Sequence, residues 1–316
     1  MKHLIDFNHL EGDEINGLVE KAIFVKNNPK KFAKALEGKY LYELFQKSST
    51  RTSLSFSIGM KELGGRYLFQ KWEDSNFAIG EIKDEVRYVG TNVDIIMARL
   101  IFNKDINEMK DYSIVPVING CCNKFHPCQA MADLLTIKEM FGTYKINILY
   151  IGVMNNVVNS LIESLPKLGG SLFVLAPIVN EPSFDQRIID KAKKTGNLHL
   201  LNPEEYINKK LVDLVNHMDI IYTDSWIDME LFNNPEFSQE KKERINKMMP
   251  FQLNSNLLHG SKAKIMHDMP IHAGYEITRD IVEENMEIIL KQAENRKHAQ
   301  KAILLSLLED DNIKIL

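Results

Sequence analysis

Short apolar runs alternate with amphipathic stretches along most of this chain, and that alternation limits it to a small set of folds. "KYLYELF" (39–45), "VDIIMARL" (93–100) and "SIVPVIN" (113–119) read as buried strands. A second series follows with "INILYIGV" (146–153), "SLFVLAP" (171–177), "DIIYTDS" (219–225) and "AKIMHDM" (263–269). Helical spacing predicts helices near 52–63, 128–140, 156–167, 184–194 and 203–216, and one long helix over about 284–309. Strands separated by helices imply parallel α/β sheets. The first series stops at "FGTYK" (141–145), where a helix is expected to end at Gly142, so a domain boundary is placed there.

At 316 residues the chain has room for two domains, since one usually takes roughly 100–200 residues. The net charge of −4 gives it no global attraction for nucleic acid or anionic lipid. No apolar run reaches the roughly 18 residues of a membrane-spanning helix. Cys121, Cys122 and Cys128 are clustered and odd in number, which fits a reducing cytoplasm better than a disulfide framework.

Ligands of open α/β sheets collect beyond the carboxyl ends of the strands, so the residues there are the ones to inspect. "SSTRTS" follows the first strand and opens a helix. Either a plain helix cap or an anion seat satisfies that pattern, because free N–H groups and the helix dipole favour an anion. Arg51 adds a guanidinium fork suited to phosphate or carboxylate. No "GxxxxGK[ST]" is present, which excludes the loop of nucleotide hydrolases. Arg99 ends the next strand, and "HPCQ" brings His126 and Gln129 to one face of a helix start. "GVMNNVVNSL" lacks the glycines of a dinucleotide loop, and Asn155 and Asn156 there are suited to a small polar substrate. Asp224 and Asp228 are four apart, and "MHDMPIH" supplies His267, Asp268 and His272 without a third ligand at zinc spacing.

In this order, "STRTS", the lone Arg99, "HPCQAMADLLTI", "NNVVNSL", "DSWIDM", "HDMPIHAGYE" and "QAENRKH" resemble the aspartate/ornithine carbamoyltransferase family, most closely its ornithine branch. The resemblance covers nearly the whole chain. It implies two parallel-sheet α/β domains: a carbamoyl-phosphate domain (1–142, joined by the C-terminal helix, 290–316) and an amine-substrate domain (143–289). It implies Ser49, Thr50, Arg51 and Thr52 on the phosphate, and Arg99, His126 and Gln129 on the carbamoyl end. Arg296 would lie near the reacting carbonyl, and Asn156, Asp224 and Met269 near the amine. A homotrimer or a multiple of trimers is implied, with Asn76 in the loop that reaches a neighbouring subunit, in place of the usual glutamine. No metal or cofactor is implied, because phosphate is already a good leaving group.

Two segments depart from the ornithine pattern. "DSWIDME" places Asp228, Met229 and Glu230 where "DxWxSMG" is usual, and "HDMP" places Asp268 where "HCLP" has cysteine. Asp224, Asp228 and Asp268 are expected to crowd one pocket and to favour a cationic acceptor. Ornithine is the default acceptor, with putrescine, lysine or another diamine as the alternative. A non-catalytic relative that only binds carbamoyl phosphate also stays open.

Overall fold

The computed structural model describes residues 2–207, 209–227, 232 and 234–308. It contains two parallel sheets. The first has the order β2-β1-β3-β4, built from β1 (Tyr40–Phe45), β2 (Arg66–Lys71), β3 (Ile95–Arg99) and β4 (Val117–Cys121). The second has the order β7-β6-β5-β8-β9, built from β5 (Asn147–Met154), β6 (Ser171–Val179), β7 (Leu198–Leu200), β8 (Ile220–Thr223) and β9 (Lys264–His267). Every strand pairing within them is parallel. Helices α1 (Gly12–Asn27), α2 (Pro29–Phe32), α3 (Thr50–Glu62), α4 (Ile82–Gly90), α5 (Asn103–Tyr112) and α6 (Pro127–Phe141) belong to the first half. The second carries α7 (Asn156–Ser164), α8 (Gln186–Lys193), α9 (Lys209–Val215) and α10 (Ser238–Met248).

Side-chain alternation divides the second sheet's interior. Ile148 and Tyr150 of β5, Tyr222 of β8 and Met266 of β9 face the large core shared with the first sheet. Leu149, Ile151, Ile221 and Ile265 point the other way, into a smaller core under α9. Successive strand residues face opposite sides, so a parallel sheet covered on both faces must be apolar at every position.

The C-terminal helix (Arg279–Leu308) joins the two cores. Ile281 and Val282 enter the smaller one, while Ala299, Ala302, Ile303 and Leu304 enter the larger. It packs on α1, α3 and α6, so it lies back against the first domain. Between its two apolar ends, Gln292, Asn295 and Arg296 are buried at spacings of three and one.

Several boundaries differ from the sequence expectation. The strand predicted at 113–119 starts only at Val117, because Ile114 is exposed and Pro116 cannot donate to the ladder. The helix predicted over 203–216 is a short 3-10 turn (Pro203–Tyr206) followed by α9. Edge strand β2 was not anticipated, because five of its six residues are exposed and no period-2 pattern results. No helix among the described residues is long and apolar enough to cross a membrane.

Candidate active site

The carboxyl ends of both sheets open onto one cavity of about 590 Å³ between the two domains. On the first-domain side, β1 leads through Ser49 into α3. The Ser49 hydroxyl accepts from the Thr52 backbone N–H at 3.3 Å and donates to Thr52 Oγ1 at 3.1 Å. That cap fixes the first turn and leaves Arg51 on the cavity wall. Thr52 is fully buried and its Oγ1 also accepts from Arg296 Nη2 at 3.0 Å, so only its own proton remains to be given.

Arg99 ends β3 at a bulge: Ala98 pairs with Asn119 and Arg99 with Cys121, skipping Gly120. A Cβ on Gly120 would sit 2.4 Å from Met97 Sδ and 3.3 Å from the Ala98 carbonyl. Bulges re-aim side chains, and Arg99 is turned into the cavity with a buried Nε that has no partner.

His126 caps α6 ahead of Pro127, which holds it out of the helical region. Its backbone N–H donates to Ser160 Oγ at 2.8 Å, and its ring Nδ1 is buried without a partner. Burial, then the charges of Arg296, Arg99 and Arg51, pushes the imidazole well below its ordinary range. It is therefore neutral at pH 7 and available as an uncharged donor.

Arg296 comes from the C-terminal helix and is 3% exposed. Its Nη1 donates to Gln129 Oε1 at 2.6 Å and its Nη2 to Thr52, while its Nε has no partner. Arg51, Arg99 and Arg296 each depress the proton affinity of the same imidazole, so three guanidiniums converge on it. Such a cluster, partly stripped of water, is a seat for a multiply charged anion.

The second domain supplies the opposite wall. Asn155 caps α7, accepting from the Val157 and Val158 N–H groups, and its Nδ2 donates to Asp224 Oδ2 at 2.6 Å. Asn156 Nδ2 reaches back to the Cys122 carbonyl at 2.6 Å, tying the end of β5 to the end of β4. Asp268 follows β9, and its Oδ1 is buried without a hydrogen-bond partner outside the carboxylate pair. Burial first, then the adjacent Asp224 carboxylate, pushes Asp268 well above the usual carboxylate range, with Arg51 acting against them.

The turn that carries Asp268 is held from behind. Met269 has φ 61°, a left-handed conformation that strains a non-glycine residue by roughly 1–3 kcal/mol. Its N–H donates to His267 Nδ1 at 2.9 Å, and the other ring nitrogen of His267 meets Glu276 Oε1 at 3.1 Å. Both nitrogens of His267 are thus used inside the fold.

Of the residues predicted from sequence, Ser49, Arg51, Arg99, His126, Asn156, Asp224, Asp268, Met269 and Arg296 line this cavity. Thr52 and Gln129 stand behind Arg296 and brace it. Thr50 and Asn76 are exposed and do not line it. Asp228 and Met229 lie outside the described residues. Asp133, Tyr222 and Gln292, a buried polar group behind Gln129, were not anticipated. Asp133 follows Gln129 by one helical turn, a spacing that carried the only available signal.

Residues 2–139 match the carbamoyl-P binding domain of the aspartate/ornithine carbamoyltransferases, and residues 144–307 match the Asp/Orn binding domain of the same family. The ornithine carbamoyltransferase of Methanocaldococcus jannaschii is 37% identical over 97% of this chain and 99% of its own length. That of Bacillus cereus is 36% identical over 98% of this chain and 95% of its own. The solved ornithine carbamoyltransferase of Pyrococcus furiosus superposes with a TM-score of 0.87 at 36% identity, covering 97% of both chains. With both halves matched in order, and with strand-end residues from each converging on one cavity, the chain belongs to the aspartate/ornithine carbamoyltransferase family.

Proposed function

We propose that the protein transfers the carbamoyl group of carbamoyl phosphate to the side-chain amine of ornithine and releases phosphate. The observation that carries this is the polarity of the cavity. Three guanidiniums and a neutral imidazole stand on one side, and the Asp224–Asp268 pair stands on the other. Within this reading, the phosphate domain spans 1–142 with the helix from 290, and the amine domain spans 143–289. The partition of the C-terminal helix between two cores supports that division.

In the reaction the amine nitrogen forms a bond to the carbonyl carbon, and the C–O bond to phosphorus breaks with its electron pair leaving on phosphate. Negative charge grows on the carbonyl oxygen, where Arg99 and His126 act as fixed donors, while Thr52 braces Arg296 from behind. Ser49 and Arg51 hold the phosphate. An amine of ordinary pKa about 10.4 must first lose a proton, at about 4–5 kcal/mol near pH 7. Arrival of the cationic substrate drives the proton of Asp268 out to solvent, and the carboxylate so formed takes the proton of the ammonium.

A homotrimer in the cytoplasm completes the reading. Leu68 and Phe69 of edge strand β2, Ile58 of α3 and Ile79 beyond the 76–78 turn are exposed apolar residues of the first domain. An apolar sheet edge of this kind is a natural surface for self-association.

One observation favours a second acceptor class. No Lys or Arg of the second domain lines the cavity among the described residues, while Asp224 and Asp268 do. A diamine without a carboxylate, such as putrescine, satisfies that wall. The test is phosphate release from carbamoyl phosphate with ornithine, lysine, putrescine and agmatine compared on kcat/KM. Ornithine leading the panel is the expected result, and a putrescine preference moves the assignment to the second reading. Binding of carbamoyl phosphate with no release for any amine identifies a non-catalytic relative.

A further inference from the structure

Behind the cavity, one buried carboxylate sets the direction of two hydrogen-bond chains. Asp133 Oδ1 accepts from Gln129 Nε2 at 2.9 Å and from Gln292 Nε2 at 2.7 Å, and its Oδ2 accepts from the Tyr222 hydroxyl at 3.2 Å. Both glutamines donate to the one oxygen Oδ1, so both amides turn their nitrogen toward Asp133 and their oxygen away. The Gln129 oxygen then meets Arg296 Nη1 at 2.6 Å, and the Gln292 oxygen meets the His267 backbone N–H at 2.9 Å. Arg296 and the backbone N–H are donors only, so neither amide can flip without facing donor against donor. The three bonded partners come from α6, β8 and the C-terminal helix. Burial lifts the Asp133 carboxyl to about 7, and its three hydrogen bonds and the Arg296 charge act against that rise.

We propose that Asp133 is a positioning residue: through Gln129 it aims Arg296, and through Gln292 it holds the turn that presents Asp268. It touches neither substrate, and the inference rests on the carbamoyltransferase reading above. Asp133→Asn keeps the shape but removes the charge. Its NH₂ either faces a glutamine, which must then turn, or donates to the Tyr222 hydroxyl, which can accept. In both cases Gln129 and Gln292 lose the anionic acceptor that aims them. Adding Gln129→Glu to that variant restores an acceptor between the new amide and Arg296 and returns the net charge to the parent's.

The test measures kcat per carbamoyl-phosphate-binding site, counted by calorimetry, for the parent, both single variants and the double variant. Asp133→Asn is expected to lower kcat about tenfold or more, and the double variant to recover at least about threefold over it. A purely structural role predicts no such rescue. Asp133→Asn within about twofold of the parent, or a double variant no better than the worse single, overturns the proposal. If Asp133→Asn does not fold, Gln292→Met serves in its place. It cuts only the arm to His267, so kcat/KM for the amine should fall while carbamoyl phosphate binds within about twofold of the parent, and an unchanged kcat/KM overturns the link. A parent that binds no carbamoyl phosphate refutes the functional reading instead, whatever the variants do.

Discussion

At Asp268, burial and the neighbouring Asp224 carboxylate work in the same direction, and both favour the protonated acid. Asp268 therefore keeps its proton until an incoming ammonium offsets the charge beside it. Asp268→Asn should therefore bind carbamoyl phosphate within about twofold of the parent and turn over more than about tenfold slower. Calorimetry and phosphate release measure the two effects separately, and unchanged turnover removes Asp268 from the mechanism. Glu163 shows the same physics away from the cavity. Burial, with Asp6 adding to it, pushes its carboxyl up to about 8, and one oxygen accepts from the Phe7 N–H while the other has no partner. The folded state holds that proton more tightly than the unfolded chain does. Its contribution is full below the ordinary value near 4.5 and is lost as pH rises through about 8. Thermal melts of Glu163→Gln should therefore exceed the parent's Tm at about pH 8.5 and converge on it toward about pH 5. Equal Tm values at the higher pH contradict this. Arg51, Arg99 and His126 were legible in the sequence because each follows an apolar run. Asn155 and Gln292 find their carboxylate partners 69 and 159 positions away, and no local pattern records such a distance.

Elements deliver these side chains by the way they begin and end. α3 starts on a serine cap, α6 on a histidine before proline, and β3 ends on a bulge that needs a glycine opposite. The C-terminal helix places Arg296 only because its far end is anchored in the first core by Ile303 and Leu304. Leu304→Ala should cost about 2–5 kcal/mol of stability in denaturant titrations, the range for emptying a buried leucine site. A loss below about 1 kcal/mol would mean that the helix end is not a firm anchor. β3 and β8 were readable because parallel strands covered on both faces are apolar throughout. α5 was not, since only Ile106 and Met109 of its ten residues are buried, too thin a stripe to register as a period.

For the whole molecule, the site exists because two sheets aim their carboxyl ends at one cleft and a single helix spans both cores. The exposed apolar edge at β2 and the position of Asn76, outside the cavity, fit an active unit larger than one chain. If the proposed trimer forms through this edge, Leu68→Asp should move the sedimenting species toward the monomer and reduce turnover with it. An unchanged oligomeric state takes β2 out of any such interface.

Local sequence was enough to set the alternation of strand and helix, the two-part organisation and most of the side chains that face the cavity. These follow from periodicity and from position after a strand, both of which neighbouring residues encode. Folding in three dimensions was needed to establish that Thr52 and Gln129 brace Arg296, that His126 is neutral, and that Asp224 and Asp268 adjoin. Burial and charge proximity govern those properties, and both arise between residues that meet only when the chain is folded.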